Sequence, residues 1–399
     1  MGLSARSFGA RFWSLIGATF LGFLGIGTVL PGLAPHVRHD LGGSDQTVGF
    51  VIGIFSCVAL ASRFISGPLA DRRGRKVAFL AGLVSCAFAG GAYLLPLGIA
   101  GAYLGRILQG FGEACLYTGA AAWVVEIAGI ERSAQALGFL SSGIWGGVSA
   151  GPVIGQWLGS FHRAAGFQSI AALLAAGTLL LIPEDFHPEP HPHGRRLIPR
   201  SLIGPGLAIG FVNMHYPVIT GFLILHLARR GNSGPAAFSA YAAVILLSRF
   251  FLGGLPDRIQ PAITFYFGIL AMAVGLGGIA LAPPPFAAIA MTALLGFGFS
   301  FPWSAIASVV LKRTPPGSRG SAVGVLSAFC DLFVGISSFA AGATASRFGY
   351  PAAFWMAAIA LSASAVAGWQ VFRKHDEPAF PPAAGLEGDD LVTEGIEVG

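Results

Sequence analysis

Ser62-Arg63-Phe64-Ile65-Ser66-Gly67-Pro68-Leu69-Ala70-Asp71-Arg72 returns 186 positions later as Ser248-Arg249-Phe250-Phe251-Leu252-Gly253-Gly254-Leu255-Pro256-Asp257-Arg258, with seven of the eleven residues unchanged. The same offset pairs Pro31 with Pro217. It also pairs Leu108, Gly110, Phe111 and Gly112 with Leu294, Gly296, Phe297 and Gly298. A constant shift over that much chain means two structurally equivalent halves.

Composition says where such halves can live. Of the 399 residues, 54% are hydrophobic and only 11% are charged. A soluble globular chain carries about 25% charge, so this one cannot cover a water-exposed surface. Its 58 glycines suit helices that pack closely in lipid, where small residues let backbones approach. Repeated halves in so apolar a chain are a mark of secondary transport, with the substrate site between the halves.

A membrane helix needs about 20 mostly apolar residues. Breaks at charges and at Gly/Pro clusters predict twelve spans at 12–35, 47–70, 77–97, 100–127, 135–159, 167–182, 202–227, 236–255, 260–281, 286–311, 320–345 and 352–372. Each must be helical, because a lone span in lipid has to satisfy its own backbone hydrogen bonds. The expected fold is an all-α membrane protein, with twelve transmembrane helices in two pseudo-symmetric six-helix bundles. The first bundle occupies 1–182, a cytoplasmic linker 183–201, the second bundle 202–372 and a disordered cytoplasmic tail 373–399. The sixth span is short and has to borrow flanking residues. The apolar run from Phe12 to about Pro35 follows Arg6 and Arg11 as a signal peptide would. It exceeds the roughly 7–15 residues of a signal core, so it is expected to stay as the first membrane helix.

Charge placement sets the orientation. With both termini cytoplasmic, sixteen basic residues fall on the inner side, five on the outer side, and Arg63, Arg106 and Arg249 lie within spans. That is the positive-inside bias. It accounts for a net charge of +6 without nucleic acid. Cys57, Cys86, Cys115 and Cys330 sit singly in apolar stretches and read as packing residues. His187, His191 and His193 alternate with prolines in the linker and are expected to be solvated, with no metal. No nucleotide-binding loop or zinc-protease motif is present, which disfavours ATP drive and zinc-dependent hydrolysis.

Residues 67–76, Gly-Pro-Leu-Ala-Asp-Arg-Arg-Gly-Arg-Lys, follow the second span. They resemble the signature loop of the major facilitator superfamily. The second copy keeps Gly253, Leu255, Asp257 and Arg258 and then lapses, as is typical of that family. The resemblance covers about residues 12–372 and is greatest to bacterial drug-efflux and sugar-efflux members. It implies a cytoplasmic latch formed by Gly67, Asp71, Arg72, Gly74, Arg75, Asp257 and Arg258, with Glu126 and Arg132 within reach. Gly67 would permit a tight exit from the helix, and Gly74 a turn with unusual dihedrals. Asp71 would accept hydrogen bonds from the N-terminus of a helix in the other half.

The fourth span holds Arg106, Gln109, Gly110, Gly112 and Glu113, and resembles a second motif of the superfamily whose Arg is linked to proton handling. Arg106 and Glu113, seven apart, share a helix face. Burial favours a neutral carboxyl and a nearby guanidinium opposes that, so the two are expected to form a switchable pair. The fifth span carries Gly138, Gly147, Gly151, Pro152 and Gly155 at the spacing of the antiporter motif. Asp331 is the other deep acid, read either as a second proton site or as a hydrogen-bonded structural group. In the superfamily, spans one, four, seven and ten line the cavity. That makes Gln109, Tyr117, Asn213, His215, Tyr216, Trp303 and Ser304 substrate-cavity candidates, with Pro31, Pro217 and Pro302 bending cavity helices. Arg63 and Arg249 are expected to snorkel or to brace the gate.

The sequence thus implies a non-enzyme: a secondary transporter working by alternating access in a bacterial inner membrane, exporting a small organic molecule against protons. The alternatives are a proton-coupled importer of a sugar or organic anion, with Arg106 on a carboxylate, and a non-transporting receptor or scaffold. The expected partners are a small-molecule substrate, protons and the lipid bilayer, with no cofactor and a monomeric state.

Overall fold

The computed structural model describes residues 8–129, 132–184, 199–228, 233–252, 259–315 and 319–373. Among the described residues the regular structure is helical throughout. The first apolar stretch forms α1 (Ala10–Thr28), α2 (Leu30–Pro35) and a π-helical turn (His36–Asp40). Next come α3 (Asp45–Arg73), α4 (Arg75–Leu94), α5 (Ile99–Ala128), α6 (Ser133–Leu158) and α7 (Phe161–Leu180). The second sequence half forms α8 (Arg200–Asn213), α9 (His215–Leu227), α10 (Gly234–Leu252) and α11 (Pro261–Ala280). It ends with α12 (Pro285–Phe299), α13 (Pro302–Lys312), α14 (Arg319–Phe348) and α15 (Tyr350–Arg373). Among the described residues, ten helical stretches are long and apolar enough to cross a membrane. This is a multi-pass membrane protein.

Three stretches are broken, and each break lies just before a proline. α1 gives way to α2 ahead of Pro31, α8 to α9 ahead of Pro217, and α12 to α13 at Pro302. Proline lacks the N–H and its ring clashes with the carbonyl four residues back, so the helix interrupts there. The expected bends at these three positions are present as interruptions.

The helix ends differ from expectation in three places. α3 runs through Gly67 and Pro68 to Arg73, so Gly67 is no helix exit; a Cβ there would meet nothing within 4 Å. The turn is made by Gly74 alone, at φ +109°, a region that L side chains avoid. The sixth apolar stretch begins at Phe161 and is 20 residues long, because His162 and Arg163 join its first turn. α8 begins at Arg200, inside the expected linker. The linker histidines and residues 374–399 lie outside the described residues.

Alternation of the helices sorts charge to one end. Arg75 pairs with Glu126 (3.3 Å), and Arg313 donates to the Val371 carbonyl (3.4 Å). These contacts join the turn after α3 to the end of α5, and the end of α13 to that of α15; α3 and α15 also start together, at Asp45 and Tyr350, so their ends share one side, which we call the basic end. At the opposite end, Tyr350 at the start of α15 donates to Asp45 at the start of α3 (3.0 Å), and Arg38 pairs with the same carboxylate (3.2 Å).

Packing between the sequence halves concentrates at that opposite end. One buried cluster joins Val29, Leu33, Val37 and Val48 to Val218, Phe222, Tyr350 and Phe354. A second cluster, with Phe12, Phe79, Leu83, Leu116 and Leu179, stays within the first half. α3 and α14 touch backbone to backbone where Gly49 meets Ser338 and Gly342: a Cβ on Gly49 would lie 2.6 Å from the Ser338 carbonyl oxygen.

The glycines of α6 have a defined purpose in this packing. Gly147, Gly151 and Gly155 lie against the backbone of α1 at Phe20, Leu24, Gly27 and Thr28, whereas Gly138 has open space where its Cβ would be. A Cβ on Gly151 would sit 2.6 Å from the Gly27 carbonyl carbon and 2.7 Å from the Leu24 oxygen, both rigid backbone. Overpacking of this kind costs about 1–3 kcal/mol. Gly151→Val is therefore expected to lower the thermal midpoint by several degrees, and Gly138→Ala to leave it unchanged or raised. Equal midpoints for the two variants, measured by tryptophan fluorescence in detergent, would contradict the packing role.

Candidate functional site

A cavity of about 380 Å³ lies between the two sequence halves. Its wall is drawn from α1, α3, α5 and α6 on one side and from α8, α9, α12, α13 and α14 on the other. It runs from Leu30 and Thr220, toward the end opposite the basic one, to Leu137, Leu311 and Val323, toward the basic end. The lining is mainly apolar and aromatic, with few polar groups, the usual composition of a small-molecule site.

Three of those polar groups form the chemical centre. Arg63 of α3 donates Nη2 (2.6 Å) and Nε (2.9 Å) to the same oxygen, Oδ2, of Asp331 on α14. The two residues are 268 positions apart, so this ion pair joins the halves across the cavity. Arg63 lies ten residues before the end of α3, which is about 15 Å along the helix. Its guanidinium also stands 5.2 Å over the ring of Tyr117. Glu113 of α5 lines the same cavity; its Oε2 is buried and makes no hydrogen bond among the described residues. The charged groups near enough to act on Glu113 are Arg63 and Asp331.

The expected Arg106–Glu113 pair is absent. Both side chains line the cavity, as a shared helix face requires, but seven residues separate them by about 10 Å along the axis. Arg106 instead donates to the carbonyls of Val51 and Ile52 (3.3 Å each) and to Gln109 Oε1, and lies 4.2 Å over the Phe55 ring. Gln109 accepts from Tyr93 Oη (3.2 Å) and donates to Gln168 (3.0 Å), which in turn donates to the Cys86 carbonyl (2.8 Å). This buried polar network ties α3, α4, α5 and α7 together inside the first half.

Of the other cavity candidates, Tyr117, Asn213, Tyr216 and Trp303 line the wall, and so does Gly138. Gln109, His215 and Ser304 do not. Gln109 is fully buried behind Arg106. His215 is also fully buried, between the Val212 carbonyl (2.7 Å from Nδ1) and Tyr241 Oη (2.8 Å from Nε2). The carbonyl can only accept, so Nδ1 carries a proton, and Nε2 shares a hydrogen bond with the tyrosine hydroxyl. His215 is thus a packing histidine, with Phe299 edge-on at 4.6 Å. What sequence reasoning misses is the pairing of Arg63 with Asp331. The available signal is that an intramembrane arginine and an intramembrane aspartate each need an opposite charge.

At the basic end the latch residues are arranged otherwise than expected. Asp71 is exposed and makes no hydrogen bond or ion pair among the described residues. Glu184, just after α7, accepts the backbone N–H groups of Arg75 (2.7 Å) and Lys76 (3.1 Å). A carboxylate thus caps the N-terminus of α4, where the helix dipole favours it, but it comes from the same half. Lys76 Nζ donates to the carbonyls of Leu180 and Ile182. Arg132 lies 3.8 Å over the Phe8 ring. Asp257 and Arg258 lie outside the described residues.

A family model of the Major Facilitator Superfamily matches residues 15–332 and 235–394. The chain belongs to the major facilitator superfamily. As a superfamily member it is a secondary transporter of a small substrate. It is 29% identical over 368 residues to an uncharacterized MFS-type transporter of Burkholderia mallei (strain SAVP1), covering 88% of this chain and 89% of that protein. A second MFS-type transporter, from Salmonella typhimurium, is 29% identical over 391 residues, 94% of this chain and 99% of that one. Among solved structures, a D-xylose–proton symporter superposes with a TM-score of 0.76 at 15% identity, covering 93% of this chain and 99% of the other. A point mutant of the nucleoside transporter NupG superposes with a TM-score of 0.74 at 12% identity, over 91% of this chain and 100% of the other. At such identities the likeness is one of fold.

In this superfamily member the ion pair between the halves has a measurable signature. Breaking a buried pair by removing one partner costs about 3–5 kcal/mol, an upper bound here because water reaches the cavity wall. Both side chains keep some exposure, 18% for Arg63 and 20% for Asp331. Asp331→Leu alone, which strands Arg63, is expected to lower the thermal midpoint clearly. Arg63→Leu combined with Asp331→Leu is expected to recover most of it. A double variant no more stable than the single one would show that the pair does not join the halves.

Proposed function

We propose that the protein is a proton-coupled exporter: it moves a small organic molecule out of the cytoplasm by alternating access and admits protons in return. In this reading twelve crossings form two six-helix bundles in a bacterial inner membrane. Both termini are cytoplasmic, because the basic end faces the interior under the positive-inside rule. The protein acts as a monomer. The observation that carries the reading is Glu113, whose buried Oε2 makes no hydrogen bond among the described residues, on the wall of a cavity between the halves. A carboxyl in low dielectric is held neutral by a proton far more readily than it stays ionised alone. That makes Glu113 the proton carrier. Asp331, neutralised by Arg63, is the pivot.

The geometry also supports a direction for the captured state. The halves are packed together at the end opposite the basic one, and the cavity extends toward the basic end, where Asp71 is unengaged. This is an inward-facing arrangement. In the outward state the halves close at the basic end, and Asp71, with Gly74 and Arg75 beside it, engages the second half as the latch.

Proteoliposomes containing a pH-sensitive dye test the coupling against a panel of sugars, organic anions and organic cations. At least one solute is expected to drive proton movement through the wild-type protein. Glu113→Gln is expected to abolish that movement while leaving solute counterflow. Solute transport without any proton movement in the wild type, or full coupling in Glu113→Gln, would contradict the proposal.

A further inference from the structure

A second cluster of titratable side chains stands outside the transport cavity, at the end opposite the basic one. It is built on the π-helical turn His36–Asp40, which follows Pro35 and closes with a bond from the Leu41 N–H to the His36 carbonyl (3.0 Å). Turns of this pitch are rare and concentrate at functional sites. His36 is buried, and its Nδ1 lies 2.7 Å from Oδ2 of Asp40. The imidazole stacks on Phe161 at the start of α7 (4.2 Å) and meets His162 edge-on (5.3 Å). Asp40 is 63% exposed, so the pair is buried at the ring and open to water at the carboxylate. Neither residue belongs to the wall of the cavity that holds Glu113.

The same turn carries contacts between the halves. Val37 is fully buried, in the cluster that joins Val29 and Leu33 to Val218 and Phe222 of α9. Arg38 donates to the Gly43 carbonyl (3.0 Å) and pairs with Asp45 (3.2 Å), and Asp45 accepts from Tyr350 of the second half (3.0 Å). Val37 and Arg38 follow His36 directly, so whatever fixes the turn fixes both links. The charged and titratable groups around the ring are few. The turn itself adds Arg38, already paired, and His39, which is exposed. α2 brings none, α3 brings Asp45, and α4 brings Tyr93 against Phe161 (5.4 Å). α7 brings His162 and Arg163, both exposed, with Arg163 donating to the Leu158 carbonyl (3.5 Å). From the second half come Tyr350 and His226, whose Nε2 is 3.0 Å from the Ile279 carbonyl oxygen. Asp40 is thus the carboxylate that bonds the ring.

We infer that His36 and Asp40 form a proton-binding clasp, separate from the transport site, that holds this end of the molecule shut in acid surroundings. The inference rests on the inward-facing reading of the structure, in which this end faces the outside. A neutral imidazole takes up a proton between about pH 5 and 8. An ionised Asp40 can only accept, so Nδ1 already carries a hydrogen and the incoming proton goes to Nε2. The neutral hydrogen bond then becomes an imidazolium–carboxylate pair, which is stronger. A proton on His162 as well would set like charges side by side, so the cluster suits one proton, and it belongs on the ring that has the carboxylate. A charged pair made when the end is closed and lost when it opens favours closure at acid pH. That preference fades as the pH rises through the imidazole's range. In an exchanger that admits protons the clasp is a brake: it slows the opening to the outside when the outside is most acid.

The test reads the width of this end in full-length protein in nanodiscs, with the native cysteines replaced. Spin labels go at Leu97, after α4, and Leu281, after α11, both exposed and one in each half. Glu113→Gln is added to take the transport proton out of the measurement. From pH 8 to pH 5 the ratio of short to long distances is expected to rise by about fivefold, the size of effect a partly exposed ion pair supplies. His36→Gln, which keeps a hydrogen-bonding side chain but cannot charge, is expected to remove the rise. Asp40→Asn, a change on an exposed side chain, is expected to remove it too and so to exclude misfolding at the buried ring as the cause. His162→Gln is expected to retain it. No rise, a fall, a rise that survives both His36→Gln and Asp40→Asn, or one that only His162→Gln removes overturns the inference. The two readings fail separately. Loss of the pH response in the Glu113→Gln background removes the clasp and leaves coupled export standing. A response that His36→Gln abolishes, beside solute flux without proton movement in proteoliposomes, removes the coupling and leaves the clasp.

Discussion

An ionised side chain inside a membrane protein has to be matched, and the rest of this molecule is organised by how that is done. Arg63 and Asp331 match each other across the two sequence halves, Arg106 is matched by backbone carbonyls and a glutamine, and Glu113 keeps a buried oxygen with no hydrogen bond among the described residues. The first arrangement joins the halves, the second stiffens one of them, and the third leaves a carboxyl that a proton neutralises. Low dielectric gives these differences their weight, because water is not there to equalise them.

The helices place these groups with ordinary means. Prolines interrupt the first, seventh and tenth apolar stretches beside the cavity. Glycines bring α6 onto α1 and α3 onto α14, so that the backbones touch and the cavity is closed at one end. At the other end the basic residues and Glu184 hold α4 to the end of α7. Tight crossings at one end and separate, half-internal packing at the other make the structure asymmetric along the membrane normal. That asymmetry is what alternating access requires of a single state.

Much of this is legible in the sequence. The 186-residue offset, the apolar runs and the Gly67–Lys76 stretch lead to a membrane protein with repeated halves, and the helices fall on the expected stretches. The main misplacement is at Phe161, where two polar residues hide the start of a helix. Local pattern identifies Arg106, Glu113 and Tyr117 as sharing a cavity face, since three turns of one helix are a matter of period alone. It fails where partners come from elsewhere. Arg106 and Glu113 share a face yet stand two turns apart, beyond side-chain reach. Arg63 reads only as a snorkelling or gate-bracing residue because its partner is 268 positions away. His215 reads as a cavity group because only the fold shows that both ring nitrogens are occupied. Gln109 faces Gln168 and not the cavity, because that partner, 59 positions away, comes from another helix.

The central claim is that the two halves pivot about the Arg63–Asp331 pair, so that one end closes as the other opens. Spin–spin distances measured on the protein in lipid nanodiscs test it most directly. One label pair would be placed at Arg73 and Lys312 at the basic end and another at Gln46 and Arg347 at the opposite end, in a background without the four native cysteines. On lowering the pH or adding a transported solute, the two distances are expected to change in opposite directions. Distances that both stay fixed, or that lengthen and shorten together, would contradict the account.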